Sequence, residues 1–138
     1  MKMGIMGSNM SKFIGANKVK LNTLYSREDV GFKGSQLSRM KINENERILF
    51  VNLGDKYDNR LTENGLIHEP RLEKHLLSKP QTISYYLFLR SGDRGDYYYV
   101  GVSRSQKKHK NNYNLFDFYV SGIPIPILEK LGGIQPLP

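Results

Sequence analysis

The sequence predicts a single α+β domain that is mainly β, with only a few short helices. Two observations carry this reading. The chain holds several short apolar and aromatic runs bounded by polar or glycine-rich turns, and side-chain character alternates within those runs. Its 138 residues suit one ordinary domain with one core, so one site is sought.

The elements follow in chain order. Residues 1–20 carry Gly4, Gly7, Gly15 and scattered lysines without periodicity, and read as a flexible leader to a domain spanning 21–138. In "LYSREDVG", Ser26 stands three residues before Asp29, a capping-box-like start to a helical turn that Gly31 ends. "RILFVNL", Arg47 to Leu53, is a compact apolar run of the kind that forms a buried strand. "EPRLEKHLLSKP" follows, with Pro70 suited to a first helical turn and Leu72 and Leu76 one turn apart, and reads as a short helix or a loop.

Three further strands are expected at Ile83 to Ser91, Tyr97 to Ser105 and Leu115 to Val120. The first two are joined by "GDRGD", whose glycines accept the positive backbone angles of a tight hairpin, and a β meander is expected. Alternation on the middle strand puts Tyr98, Val100 and Val102 on one face, the expected core face, and Tyr97, Tyr99, Gly101 and Ser103 on the other. On the last strand Phe116, Phe118 and Val120 share the apolar face. Packing within a sheet accounts for most of the tyrosines, because these rings fit a pleated surface and keep a wet hydroxyl. In the tail "GIPIPILEKLGGIQPLP", Pro124 and Pro126 are expected to break regular structure. Ile123, Ile125, Ile127 and Leu128 need cover, from the barrel or from a partner.

Charge and composition narrow the function classes. With 21 Lys and Arg against 13 Asp and Glu, the net charge of +8 favours polyanionic partners. No stretch is long and apolar enough to span a bilayer, and the first residues lack the apolar segment of a signal peptide. The absence of cysteine excludes disulfides, cysteine-bearing zinc sites and thiol nucleophiles, and fits a reducing compartment such as the cytoplasm. There is no Gly-x-Ser-x-Gly, no Walker loop, no His-Glu-x-x-His, and no acid two positions before a lysine as the common metal-dependent nuclease core needs. His68 and His75, seven apart with Pro70 close by, do not have metal-pair spacing, so neither a metal nor a cofactor is expected.

Two segments carry candidate binding chemistry. Arg104, Lys107, Lys108 and Lys110 lie beside Asn111, Asn112, Tyr113 and Asn114, which together supply phosphate-binding charge, amide donors and a ring; the alternative is a solvated hairpin tip. "DKYDNRLTENGLIHEPR", Asp55 to Arg71, gathers Tyr57, Asp58, Asn59, Arg60 and His68 around Gly65. Those are the ingredients of a pocket that stacks a base and reads its edge, and a solvated loop fits the same residues.

The order "LYSREDV", "RILFVNL", "YDN", "YYLFLR", a short turn and "YYYVG" resembles the C-terminal domain of restriction proteins that join a phospholipase-D-type nuclease to a helicase. That domain is related to the SET-and-RING-associated (SRA) domain, a PUA-like β barrel that flips a modified cytosine into an aromatic pocket. The likeness covers Leu21 to Val120, through short motifs. It implies a PUA-like, SRA-like, partly closed barrel in which Tyr57 stacks a base and Asp58 accepts from its amine or ring N–H. Tyr25 and Arg27 then lie near the pocket rim or the DNA backbone. Where the family tends to show an aromatic residue and a Ser-Arg pair, this chain has "LIHEPRLEKHLLSK", and His68 is the nearest stand-in.

The expected function is therefore a non-catalytic module that reads a modified, flipped base in double-stranded DNA for a modification-dependent restriction or defence system. A nuclease or helicase subunit or domain is its expected partner. Tyr57, Asp58, Asn59, His68 and Tyr25 form the expected base pocket, and Arg27, Lys33, Arg60, Arg104, Lys107, Lys108, Lys110 and Asn112 the phosphate grip. Two alternatives stand beside it: an RNA-binding module of PUA, YTH or ASCH type, and a small metal-dependent nuclease using Asp55, Asp58, His68 and Glu69.

Overall fold

The computed structural model of the chain describes residues 19–31, 39–54, 59–71, 73–78, 82–110 and 114–134. Most of the expected leader, residues 1–18, and the positions Lys33, Asp55, Tyr57, Asp58, Leu72, Asn111, Asn112 and Tyr113 lie outside them.

The apolar run at 47–53 and the aromatic run at 84–91 do form strands, and they pair with each other. β1 spans Thr23–Tyr25, β2 Arg39–Asn43, β3 Glu46–Leu53, β4 Arg60–Thr62, β5 Gly65–His68, β6 Ser84–Ser91, β7 Tyr97–Ser103, β8 Ser105–Lys108 and β9 Phe116–Tyr119. Two short helices join them, α1 at Lys74–Leu77 and α2 at Ile125–Lys130, with a 3-10 turn at Glu28–Val30. Asp29 N–H donates to Ser26 Oγ at 3.0 Å and Ser26 N–H to Asp29 Oδ2 at 2.7 Å, the reciprocal cap the sequence suggested.

The strands make two open sheets, a five-stranded one in the order β1-β7-β6-β3-β2 and a four-stranded one in the order β4-β5-β9-β8. β3 and β6 run parallel at its heart, from Glu46 opposite Ser84 to Leu53 opposite Ser91. Both faces of this pair are buried, as a continuous apolar run requires. Leu49, Val51 and Leu53 with Tyr85, Leu87 and Leu89 face the second sheet, meeting Leu61, Leu66, Phe116 and Phe118. Ile48, Phe50, Tyr86 and Phe88 face the other way and pack with Val30, Ile42, Tyr97 and Tyr99. Ring packing is specific on both sides: Tyr85 meets Phe118 edge-on with centroids 5.0 Å apart, and Phe50 lies 4.9 Å from Tyr97.

The structure corrects three details of the sequence reading. The meander stops after β7: β6 and β7 form the expected hairpin, but the chain bends at Arg104 into the second sheet, where β9 pairs with β5 and β8. Gln106 holds the bend, its Nε2 donating to the carbonyls of Ile83 and Ser103 at 3.0 Å each. Alternation along β7 also breaks, because a bulge makes Val100 an extra residue between Leu87–Gly101 and Phe88–Tyr99. Tyr98 and Val100 therefore face one cluster, while Tyr97, Tyr99 and Val102 face the other, and both faces are core. The tail prolines start a helix instead of breaking one, since a proline in the first turn removes no hydrogen bond. Ile123, Ile127, Leu128 and the buried Leu131 then cover the inter-sheet cluster, while Ile125 points outward.

The segment from β3 to β6 crosses over through the second sheet and is pinned by a buried carboxylate. Glu73 accepts from Arg47 Nε at 2.5 Å, from Arg39 Nη1 at 3.3 Å and from the Tyr85 hydroxyl. Arg47 Nη1 donates to the carbonyls of Asn43 at 2.5 Å and Glu46 at 3.1 Å. Burial, and then the Glu73 hydrogen bond, push the Tyr85 hydroxyl well above its ordinary range, so it stays a donor. Glu73→Ala is expected to cost about 3–5 kcal/mol in urea denaturation, because it strands a buried guanidinium. Arg47→Met combined with Glu73→Leu should cost less than Glu73→Ala alone.

Candidate functional site

The four-stranded sheet carries two groups of candidate residues, one on each of its faces. Its outer edge is β8, where Lys107 pairs with Asp117 and Lys108 with Phe116. The ladder continues one step further, with His109 N–H donating to the Leu115 carbonyl at 2.9 Å. Lys107, Lys108 and Lys110 are exposed, and among the described residues none of them forms an ion pair. They line one side of a pocket of about 210 Å³, whose other side is the β4–β5 turn with Thr62, Asn64 and Gly65. Gly65 must be glycine: its φ is +138°, and an added Cβ would lie 2.2 Å from the Phe118 carbonyl oxygen.

His109, Asp117 and Tyr119 complete the lining, and the sequence reading had singled out none of them as functional. His109 is buried, and its Nδ1 lies 3.0 Å from Asp117 Oδ1. The sequence pattern ends the strand at Ser105, which hides the register that sets His109 beside Asp117. Only strand pairing across the hairpin reveals it.

Two strands in from β8, on the face turned to the core, Asn59 and His68 do come together. Asn59 Nδ2 donates to the Asn52 carbonyl at 2.9 Å, which fixes the orientation of the amide. Its Oδ1 then accepts from His68 Nδ1–H at 2.7 Å, so the neutral ring carries its proton on Nδ1. The ring stands nearly edge-on to Phe118, with centroids 5.6 Å apart. Burial, and secondarily the Arg71 guanidinium, lower the His68 pKa to about 4. His68 pairs with Phe116 and Phe116 with Lys108, so two strand spacings, roughly 10 Å, separate His68 from the lysines.

Tyr25 does not join them. It packs edge-on against Phe88 in the cluster on the far face of the five-stranded sheet, because β1 pairs with β7. Arg27 is there too, its guanidinium 4.9 Å from the Phe50 ring and its Nε donating to the Tyr97 hydroxyl at 3.2 Å. Arg90 covers the same Tyr97 ring at 4.2 Å. Arg104 stands at the β7–β8 bend, with Nη1 3.5 Å from Ser84 Oγ, and Arg60 opens β4 opposite Ile67. Of the expected base pocket, Asn59 and His68 are therefore assembled and Tyr25 is elsewhere, while Tyr57 and Asp58 lie outside the described residues. Of the phosphate grip, Lys107, Lys108 and Lys110 line one pocket, and Lys33 and Asn112 lie outside the described residues. No group of three or more His, Asp or Glu side chains gathers among the described residues in a way that could hold a metal ion. No helix among them is long and apolar enough to cross a membrane.

The depressed His68 pKa has a defined consequence for stability. Below about pH 6.5 the unfolded chain takes up a proton that the native ring refuses, so stability falls as pH drops towards 4 and then levels off. The full span is about 3 kcal/mol, and it is isolated by comparing urea denaturation of the wild type and His68→Gln at pH 4, 5.5 and 7. The variant should lose this part of the pH slope.

No family model matches the chain, and neither the curated proteins nor the solved structures give a match.

Proposed function

We propose that the chain is a non-catalytic DNA-binding module of PUA-like, SRA-like type that reads a modified base for a restriction or defence system. The observation that carries this reading is the convergence of Lys107, Lys108 and Lys110 on one pocket edge of the second sheet. All three are exposed and in no ion pair among the described residues, which leaves their charge available to a nucleic-acid backbone.

Lysines on an edge strand also deter strand addition. That role needs charge alone. It does not need an aromatic ring and hydrogen-bonding groups beside the charges, which Tyr119 and Asn64 supply.

In this reading the lysines fix the DNA backbone, and the flipped base enters beside Asn59 and His68, where Tyr57 and Asp58 directly precede Asn59 in the chain. Tyr57 stacks, and Asp58 accepts from the base edge. Stacking of about 1–3 kcal/mol per base offsets a flipping cost of a few kcal/mol. His68, held neutral by its burial, adds no charge that would repel the base or attract a second phosphate. The partners are double-stranded DNA and a nuclease or helicase on the same or another polypeptide.

The test is fluorescence anisotropy on matched duplexes with cytosine, 5-methylcytosine, 5-hydroxymethylcytosine, adenine or N6-methyladenine at one position, across a salt series. Replacing Lys107, Lys108 and Lys110 by alanine should lower the slope of log K against log salt by about 2–3, at roughly 0.9 per phosphate contact. Tyr57→Ala should abolish a modification preference while leaving the slope in place. Binding that is equal on all duplexes and unmoved by either change would overturn the reading.

A further inference from the structure

The hairpin that carries the three lysines has a neighbour outside the sheet. α1 begins at Lys74, whose ammonium donates to Asn114 Oδ1. Asn114 directly precedes Leu115, whose carbonyl accepts from His109 N–H at 2.9 Å, and Lys110 directly follows His109. Lys110 and Asn114 therefore flank the turn between β8 and β9, and the contact brings a fourth cation to the end of the hairpin that carries Lys107, Lys108 and Lys110. The start of α1 is itself tied down, because the chain neighbour Glu73 is 5% exposed and holds Arg47, Arg39 and Tyr85 from three strands of the five-stranded sheet.

The kind of partner that Lys74 has is informative. Where this fold neutralises a cation it provides a carboxylate: Arg47 and Arg39 share Glu73, and Lys41 takes Glu44 at 2.8 Å. At Lys74 the acceptor is a neutral amide, and among the described residues Lys74, Lys107, Lys108 and Lys110 form no ion pair. The carboxylate that lines the pocket, Asp117, lies 3.0 Å from His109 Nδ1 and within ion-pair distance of none of the four lysines. An amide oxygen fixes an ammonium without cancelling its charge, and it takes one of three N–H donors, leaving two for another acceptor. Four uncancelled positive charges around one hairpin repel one another and weaken the compact state, and a run of phosphates relieves that repulsion.

We infer that Lys74 is a fourth phosphate contact of the nucleic-acid grip, supplied by α1 and held in place by Asn114. This sets the path of the bound backbone: along β8, past the turn and on to α1. The inference rests on the nucleic-acid reading and adds to it a residue and a direction.

Acetylation of the lysines of the whole chain by acetic anhydride, mapped by mass spectrometry with and without an unmodified DNA duplex, tests it in the wild type. With the duplex bound, Lys74 should lose reactivity severalfold and in step with Lys110, while Lys41, 50% exposed beside Glu44 on β2, should react as before. In a salt series Lys74→Met should lower the slope of log K against log salt by about 0.9, one phosphate contact, and Lys74→Arg should keep the wild-type slope. A merely structural Lys74 would instead shift the urea midpoint and leave the slope alone. Full reactivity of Lys74 in the complex, or an unchanged slope in Lys74→Met where alanine at Lys107, Lys108 and Lys110 lowers it, would overturn the inference and leave the hairpin grip standing. A slope unmoved by the triple replacement as well would sink the nucleic-acid reading of this hairpin. Equal binding of all modified duplexes with Lys74 protected would sink the modified-base reading and leave this contact in place.

Discussion

Everything in this fold depends on two parallel strands that have no exposed face. β3 and β6 lie side by side from Glu46–Ser84 to Leu53–Ser91, and alternate residues of each serve two different hydrophobic clusters. Each buried Leu, Ile or Phe of this pair contributes on the order of 1.5–3 kcal/mol through burial. A parallel pair cannot be closed by a tight turn, so the chain must leave the end of β3, travel back and re-enter at the start of β6. That crossover is the stretch from Gly54 to Ile83, and it supplies Asn59, His68 and Glu73. Candidate site and fold are thus linked: the long connection that parallel pairing demands is also the raw material of the site.

A long crossover carries an entropic cost and needs anchoring at more than one point. Its first half folds as the β4–β5 hairpin, which adds to β9 and makes the second sheet from two distant parts of the chain. Its second half is tied down by Glu73, which reaches β2 through Arg39, β3 through Arg47 and β6 through Tyr85. A buried ion pair stabilises little against an apolar replacement of the same volume. Its value here lies in position, because one carboxylate satisfies donors from three strands that sequence places far apart. On the far face Arg27 and Arg90 lie over Phe50 and Tyr97 in the same spirit, keeping charge at the surface while covering aromatic rings.

What could be read in the sequence follows from which forces are local. The runs at 47–53, 83–91 and 97–105 announce strands because their burial is written into composition, and the glycines of "GDRGD" announce the hairpin between them. β5 and β8 were missed for opposite reasons. "GLIH" is short and sits among turn residues, and "SQKK" has no apolar pattern at all; each is a strand only because a partner strand presents the complementary edge. The bulge at Val100 defeats alternation in the same way, since its cause lies in the pairing with β6. Of the site, the lysines were legible from charge, and the Asn59–His68 pairing was legible only as a set of residue types. His109 with Asp117 was not legible, because their meeting depends on register across β8 and β9.

The edge of the second sheet joins these strands of argument. A bare edge strand invites pairing with another chain, and three lysines on and after β8 discourage it through repulsion and solvation. That explanation is complete for the charges and silent about the rest of the pocket. It does not account for a glycine whose missing side chain lets β5 approach β9 closely and whose turn shapes the pocket wall, nor for a buried imidazole oriented by a carboxylate with one nitrogen unanswered. Buried polar groups of that kind cost stability when nothing meets them, and a folding requirement alone favours replacing them with apolar residues. Edge protection leaves their presence beside the exposed lysines unexplained, and it is this remainder that the proposed binding role addresses.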